Sequence, residues 1–295
     1  MNFDPPVLLH KNTLMQRLAD YVRSGFAEYI SGVAAAERAA AFARKFTRYY
    51  RVDLGADRNC RARSKAAGEG CAILLLFAAA PNLLIWFLLV SPGPHPARLL
   101  ENLKRALERD ERIVVEGDYE LIRYTRSGPR PSFTWRMTEQ TYRGVRNRVL
   151  ECVRKNDDEA LRQLIHSLYR APGFAGTRRQ VGKLVALLRA EWRRAGRRRR
   201  LPTFPAKLPY VARLRSESIP LTSWLRSQSR GALTRTAPAH EFICSDRQSS
   251  LALRRIPQHL AMPSRAVALG HEKRPAELRG RGAWLTMSMM LTLLI

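Results

Sequence analysis

The sequence predicts an α+β fold: a small, mainly antiparallel sheet with helices, followed by a basic three-helix segment and a disordered C-terminal tail. Three observations lead to this prediction. Apolar runs of strand length lie on both sides of a helical stretch in the first half of the chain, three amphipathic helices follow, and periodicity stops after Leu201. The predicted domains are an α+β domain over 1–136, a basic helical segment over 137–200 and a tail over 201–295.

Two helices are predicted in the first 50 residues. Residues 12–24 place Leu14 and Leu18 on one face, and the alanine-rich run 34–50 favours a helix by propensity. Tyr49 and Tyr50 invite comparison with the nucleophilic tyrosines of DNA-nicking enzymes. No residues with metal-ligand spacing accompany them, so packing aromatics are the favoured interpretation. The inward stripe of this helix is predicted to comprise Ala35, Ala39, Phe42, Phe46 and Tyr49.

The polar stretch 56–70 is predicted to be a loop that ends in glycine. Its four cations have two interpretations, a second phosphate-contacting patch or a solvated loop, and the sequence does not favour either. The four cations are Arg58, Arg61, Arg63 and Lys65.

The apolar run 71–90 is long enough to span a bilayer as a helix. Pro81 and Asn82 stand at its midpoint, where a membrane helix would lose a hydrogen bond and bury an amide. Two buried strands, 71–77 and 83–90, are therefore the favoured interpretation. A membrane helix is the alternative.

The next part of the chain completes the predicted sheet. Residues 96–111 have the spacing of an amphipathic helix with Pro at its start. Residues 112–125 contain β-type residues broken by Gly117, and the sequence SFTWRM alternates as a strand does. The predicted inward leucines of the helix are Leu99, Leu100, Leu103 and Leu107.

Three amphipathic helices are predicted over 138–200. Asn156 is the expected N-cap of the second, and Thr177 with Gln180 has the spacing of a capping box for the third. The segment has 17 Lys+Arg and 6 Asp+Glu. A helical trio with a basic last helix is typical of a helix-turn-helix-like nucleic-acid reader, and a helical bundle with a solvated basic face is the alternative.

Composition limits the classes of function. A net charge of +27 favours a polyanionic partner, nucleic acid first and an anionic membrane surface second. The four dispersed cysteines and six dispersed histidines predict no metal site, and no phosphate-binding loop or nucleophile motif predicts a cofactor or a reaction. His95 follows a predicted buried strand at the start of a helix, and it is the one histidine whose position favours a test for catalysis. The N-terminus lacks the features of a signal peptide, which favours a cytoplasmic location.

Three stretches also resemble known proteins. They are KFTRYYRVDLGADRNCRARSKAAGEG, the block from PNLLIWFLLV to SFTWRMT, and LYRAPGFAGTRRQVGKLVALLRAEW. Over roughly residues 10–195 the chain resembles uncharacterised proteins carried by bacterial plasmids and integrative conjugative elements. The resemblance implies a mobile-element setting and assigns no role to any residue.

The sequence therefore predicts a DNA-binding protein, with RNA as the alternative target, that holds phosphates and serves replication, maintenance or transfer of a mobile element. It has no expected cofactor and is more consistent with a binding protein than with an enzyme. The rivals are a membrane protein held by 71–90 and a DNA-nicking enzyme. Oligomeric state is not predicted. The expected nucleic-acid-binding residues are Arg58, Arg61, Arg63, Lys65, Arg178, Arg179, Lys183, Arg193, Arg194, Arg197, Arg198, Arg199 and Arg200.

Overall fold

The computed structural model describes residues 3–124, 132–196, 201–205, 207–212 and 217–229. The strands are β1 (Pro6–Leu8), β2 (Glu28–Ala35), β3 (Ala72–Ala80), β4 (Leu83–Val90), β5 (Lys104–Arg105), β6 (Val114–Val115), β7 (Tyr119–Tyr124), β8 (Ser132–Met137) and β9 (Ser218–Pro220). The helices are α1 (Lys11–Arg23), α2 (Ala36–Tyr50), α3 (Val52–Ala56), α4 (Arg58–Ala66), α5 (Ala97–Leu100), α6 (Glu139–Lys155), α7 (Asp158–Tyr169), α8 (Ala175–Arg194) and α9 (Leu221–Ser229).

Two sheets organise these elements, and the α+β prediction is confirmed. The larger has six strands in the order β5-β2-β4-β3-β1-β9, and only β1 and β3 within it run parallel, with Val7 opposite Leu76. The smaller is the antiparallel sheet β6-β7-β8. The larger sheet is thus mixed but mainly antiparallel, as the sequence predicts.

The hairpin of β3 and β4 is the centre of the larger sheet. Asn82 adopts a left-handed conformation (φ 59°) at its turn, where the sequence places Pro81 and Asn82. Successive residues of a strand point to opposite faces, and here both faces are covered, so the run is apolar throughout. Residues 71–90 therefore do not form a membrane helix. Among the described residues, no helix has the length and apolar character needed to cross a bilayer.

Each face of the larger sheet supports its own core. On one face, Ala39, Ala43 and Phe46 of α2 pack with Leu74 and Leu76, and Trp224 of α9 completes this cluster. The other face carries Ile73, Leu75 and Leu89, which belong to a larger core shared with α1, the small sheet and helices α6 to α8. Residues on both sides of the predicted boundary at 136 contribute to that larger core.

The predicted helix over 96–111 is wrong beyond Leu100. Only α5 forms, and Leu99 and Leu100, which the sequence places inward, are 89% and 61% exposed. Contacts with other parts of the folded protein explain why the helix ends there. The guanidinium of Arg98 donates to the main-chain oxygens of Gly93 and Ser91 and pairs with Glu28 at 2.7 Å, and Lys104 and Arg105 then pair with β2.

The polar stretch after residue 56 is also corrected, because 58–66 forms helix α4 rather than a loop. Asp57 is its N-cap, and its carboxylate accepts a hydrogen bond of 2.9 Å from the main-chain N–H of Asn59. Asp is among the preferred N-cap residues, so this signal was present in the sequence. Arg58, Arg61, Arg63 and Lys65 accordingly lie on a helix.

In helix α2 the buried stripe differs from the prediction near its C-terminal end. Phe46 and Tyr50 are buried, whereas Tyr49 is 49% exposed. The hydroxyl of Tyr50 donates to the carboxylate of Glu101, and burial raises the pKa of Tyr50 well above its usual range. Tyr50 is therefore a core residue, in agreement with the packing interpretation, and Tyr49 is a surface residue.

The three predicted helices of 138–200 are present, but their caps differ from the prediction. Asn156 adopts a left-handed conformation (φ 57°) that ends α6, and Asp157 caps α7 by accepting from the N–H of Ala160 at 2.9 Å. Helix α8 starts at Ala175, so Thr177 lies inside it rather than at its cap.

Secondary structure continues past residue 201, where the sequence predicts the tail to begin. Strand β9 pairs antiparallel with β1, placing Ile219 opposite Val7, and α9 follows it directly. Trp224 is buried against α2, and Thr222 donates to the carboxylate of Asp4 at 2.5 Å. Two short elements of the predicted tail thus belong to the larger sheet and its α2 side. Residues 230–295 lie outside the described residues.

Candidate nucleic-acid interface

Helix α8 carries the best-defined of the predicted basic surfaces. Its buried residues are Val181, Leu184, Val185, Leu188 and Trp192 together with Gly176 and Thr177 at its start. Strand β8 fixes the start of the helix, because the N–H of Gly176 donates to Thr134 at 3.0 Å. The opposite side of α8 is therefore held toward solvent.

Arg179 and Lys183 project from that solvent side, one helical turn apart, and both are exposed. Within the described part of the chain no carboxylate lies at ion-pairing distance from either of them; the acidic residue that α8 does contain, Glu191, pairs with Arg194 at 2.9 Å. Like charges four residues apart destabilise a helix slightly, so this pair is not there for helix stability. Arg179 and Lys183 therefore form a positive surface whose charge no neighbouring carboxylate neutralises.

Arg178, the neighbouring residue, has a different role from the one predicted. Its guanidinium carbon lies 3.4 Å from the centre of the Tyr210 ring, an arrangement in which the cation is attracted to the aromatic face. The side chain is half-buried. Arg178 therefore packs the segment around Tyr210 against α8, and its predicted contact with phosphate stays a prediction.

The C-terminal end of α8 has a mixed character. Arg194 is paired with Glu191, whereas Arg193 is exposed and its guanidinium reaches the main-chain oxygen of Arg189 at 3.4 Å. Arg189 lies over the Phe204 ring at 4.9 Å. A shallow cleft of about 670 Å³ opens there, lined by Arg189, Trp192, Arg193, Leu201, Pro202, Thr203 and Phe204. The predicted residues Arg197, Arg198, Arg199 and Arg200 lie outside the described residues.

Two of the four predicted cations of α4 have hydrogen-bond partners within the protein. Arg61 donates to the main-chain oxygens of Gly55 and Ala56 at 2.8 and 3.0 Å, and Arg63 contacts the sulfur of Cys60 at 3.1 Å. Arg58 and Lys65 are exposed and have no carboxylate at ion-pairing distance in the described ranges. Arg58 and Lys65 are therefore the two cations of α4 most available to an external anion, and the predicted roles of Arg61 and Arg63 stay predictions.

Helices α4 and α8 pack against different neighbours. Helix α4 contacts α1, where the Arg61 guanidinium lies 6.0 Å from the centre of the Tyr21 ring. Helix α8 packs instead on β8 and α6. In the residues that the structure describes, no hydrogen bond or ion pair joins α4 to α8.

Helices α6 and α7 are less positive on their surface than their composition indicates. Arg143 pairs with Glu139 at 2.6 Å, Lys155 with Glu151 at 2.6 Å and Arg162 with Glu159 at 3.1 Å. All three pairs have the i,i+3 or i,i+4 spacing of helix neighbours. That spacing can be read from the sequence, and it indicates that these cations form ion pairs within their own helices.

Helix α2 carries a cationic surface that the sequence analysis did not assign. We call Arg38, Arg44, Lys45, Arg48 and Tyr49 the α2 surface. Glu37 is the only acidic residue of the helix, and no ion pair involves the four cations within the described part of the protein. The signal was present in the sequence as four cations against one carboxylate on a predicted helix. An apolar stripe identifies only the buried side of a helix and gives no information about cations on the other side.

His95, the histidine considered for catalysis, is hydrogen-bonded to main-chain groups on both sides of its ring. The ring of His95 accepts from the N–H of Ala97 at 3.2 Å, so its other nitrogen carries the proton and donates to the main-chain oxygen of Tyr50 at 3.2 Å. Burial lowers the pKa of His95 below its usual range. Within the described residues, no group of three His, Cys, Asp or Glu side chains is arranged to hold a metal ion.

Comparisons with known proteins do not identify a relative. No protein-family model matches the chain, and neither a curated protein nor a solved structure is similar to it at a significant level.

Proposed function

We propose that this protein binds nucleic acid, DNA in the first place and RNA as the alternative, mainly through phosphate groups. The observation that carries the proposal is the pair Arg179 and Lys183, exposed on one side of α8 without a carboxylate partner in the described residues. Guanidinium and ammonium groups with no internal partner keep their full attraction for an external anion. The spacing of one helical turn, about 5.4 Å, lets both cations reach one phosphate backbone.

The charge of the whole chain supports the same partner. A net +27 creates a positive field that attracts a polyanion from a distance and speeds its association. Arg58 and Lys65 on α4 and Arg193 at the end of α8 add further exposed cations. We place this activity in the bacterial cytoplasm, in replication, maintenance or transfer of a mobile element, on the basis of the resemblance of residues 10–195 to proteins of plasmids and conjugative elements.

A salt titration of the full-length chain tests the proposal. Affinity for a fluorescent 20-base-pair duplex and for the corresponding single strand is measured by anisotropy between 50 and 200 mM salt. Lys and Arg side chains that neutralise phosphates release the counterions condensed on the DNA. Log affinity should therefore fall linearly with log salt, with a slope near −0.9 for each phosphate neutralised on a duplex. Salt-independent binding or no binding would contradict the proposal.

A pair of variants locates the contact. Arg179→Gln with Lys183→Gln removes two uncompensated charges, and the slope should become less steep by about 2. Arg143→Gln with Arg162→Gln removes the same charge from residues that are paired with Glu139 and Glu159, so it serves as the matched control. Equal losses in both variants would mean that binding depends on total charge and not on α8.

A further inference from the structure

The α2 surface has an arrangement that helix stability does not explain. Arg44 and Arg48 are four residues apart, and Lys45 and Arg48 are three apart, so each pair lies side by side on the helix. Like charges at these spacings are unfavourable. Helices α6, α7 and α8 place a glutamate beside at least one of their cations, and α2 has none in that position. This is the pattern expected where an external anion supplies the missing charge.

Tyr49 adds an aromatic ring to these cations. It is 49% exposed, and the guanidinium of Arg48 lies 5.7 Å from its ring centre. An exposed tyrosine beside arginines suits nucleic acid, because the ring offers a flat apolar surface to a sugar or an unpaired base while the cations contact phosphate. The neighbouring Tyr50 is buried and satisfies the packing needs of the helix.

The α2 surface and α8 lie on opposite sides of the larger sheet. Helix α2 packs with Leu74 and Leu76 of β3, whereas α8 belongs to the core that contains Ile73 and Leu75 of the same strand. Alternate residues of a strand point to opposite faces. Since packed layers are about 10 Å apart, a helix layer on each side of the sheet separates the two surfaces by at least about 20 Å.

That separation decides whether both surfaces can be occupied together. Exposed charges further apart than the Debye length, about 8 Å at physiological ionic strength, are largely screened from one another. Two nucleic-acid segments held at the α2 surface and at α8 would therefore repel each other only weakly. A single surface would not have this property, because two duplexes on it would be in contact.

We propose that the α2 surface is a second polyanion-binding face, so that one molecule holds two nucleic-acid segments on opposite sides of its sheet. This inference rests on the proposed function, since it assigns the same class of ligand to a further site. It makes the protein a bridging protein that brings two DNA segments together.

A two-duplex capture experiment with the full-length chain tests the bridge. One duplex is fixed to beads, and the protein and then a fluorescent duplex of different sequence are added. The wild-type protein should retain the fluorescent duplex. Arg44→Gln with Arg48→Gln should remain on the immobilised duplex through α8 but retain at least fivefold less of the fluorescent one. Arg143→Gln with Arg162→Gln, which loses the same charge, should behave as the wild type.

Stoichiometry separates bridging by one chain from bridging by self-association. Sedimentation with 12-base-pair duplexes should give two duplexes for each chain in the wild type and one in the Arg44→Gln, Arg48→Gln variant. Circular dichroism checks that this variant is folded, as expected for exposed residues replaced by a good helix former.

The outcomes distinguish this inference from the proposed function. If the wild type binds the immobilised duplex and captures no second duplex, or if the α2 variant captures as much as the wild type, the second face is ruled out and the proposed function stands. If the wild type does not bind the immobilised duplex at all, both are overturned.

Discussion

The hydroxyl of Thr177 donates a hydrogen bond of 3.1 Å to the main-chain oxygen of Trp135, and both residues are fully buried. Two further contacts extend this junction. The side chain of Gln180 accepts from the N–H of Met137 at 2.6 Å and donates to its oxygen at 3.1 Å. Helix α8 is thus joined to β8 by side chains that satisfy the main chain of the strand, which fixes the direction in which the cations of α8 point.

Thr177→Val should lower the free energy of unfolding by about 1–3 kcal/mol, because it leaves a buried carbonyl without its donor while keeping the shape of the side chain. Thr203→Val, at an exposed position, is the matched control and should change the value little. Urea denaturation of both variants measures the difference. An unchanged midpoint for Thr177→Val would mean that the junction contributes nothing to stability.

This junction also marks a limit of prediction from sequence. The spacing of Thr177 and Gln180 fits a capping box, and the sequence alone cannot tell that β8 takes up both side chains. By contrast, the hairpin of β3 and β4 was predictable, because Pro81 and Asn82 are local signals for a turn. The turn was predictable because its signals are local, whereas the junction of α8 with β8 joins residues about 40 positions apart.

Residues 96–111 show the same limit for a whole element. Leu99, Leu100 and Leu103 have helical spacing, and local propensity is compatible with a helix. The guanidinium of Arg98 binds Glu28 and two main-chain oxygens, and the following residues pair with β2. Glu28 and β2 are distant in sequence from this stretch, so periodicity could not reveal that the helix ends at Leu100.

Close packing of α3 on β3 supports a second prediction. A Cβ atom added to Gly55 would overlap the main-chain oxygen of Ala72, so the helix would have to move away from the strand. Gly55→Ala should destabilise the protein by about 1–3 kcal/mol through this overpacking. Thermal unfolding measures the loss as a lower Tm.

Gly182→Ala is the opposite case and serves as its control. Nothing lies within 4 Å of the position of its Cβ atom, and the residue is in the interior of α8. Alanine should therefore stabilise the protein by about 0.5–1 kcal/mol, because glycine is the poorer helix former. If both variants unfold at the same temperature, the contact between Gly55 and Ala72 is not as close as described.

The hydrogen bonds of His95 predict a dependence of stability on pH. Both ring nitrogens are used by neutral imidazole, and burial lowers its pKa in the folded state below 6.5. Above pH 6.5 both states are neutral, and the contribution of His95 is complete. As pH falls from 6.5 to the folded-state pKa, the unfolded state binds a proton that the folded state does not, so stability is lost.

The comparison of wild type with His95→Gln isolates this effect from other acid-sensitive groups. Glutamine does not titrate, so the advantage of the wild type should shrink steadily as pH is lowered from 7 to 5. Urea denaturation at each pH measures it. A difference that is constant over this range would show that His95 titrates alike in the folded and unfolded states.

Arg178 and Arg179 are adjacent in sequence and should differ in nucleic-acid binding. Arg178 is engaged with the ring of Tyr210, whereas Arg179 is exposed and has no carboxylate partner among the described residues. Arg179→Gln should therefore make the salt dependence of binding less steep by about 1, the effect of one lost phosphate contact. Arg178→Gln should leave that slope unchanged and lower the Tm, because it removes a cation that packs on an aromatic ring.

Both variants lose one charge, so net charge cannot explain a difference between them. A salt titration by anisotropy and a thermal melt of each variant give the two readouts. Equal slopes for the two variants would mean that the sequence-level count of cations, and not their partners in the fold, determines binding.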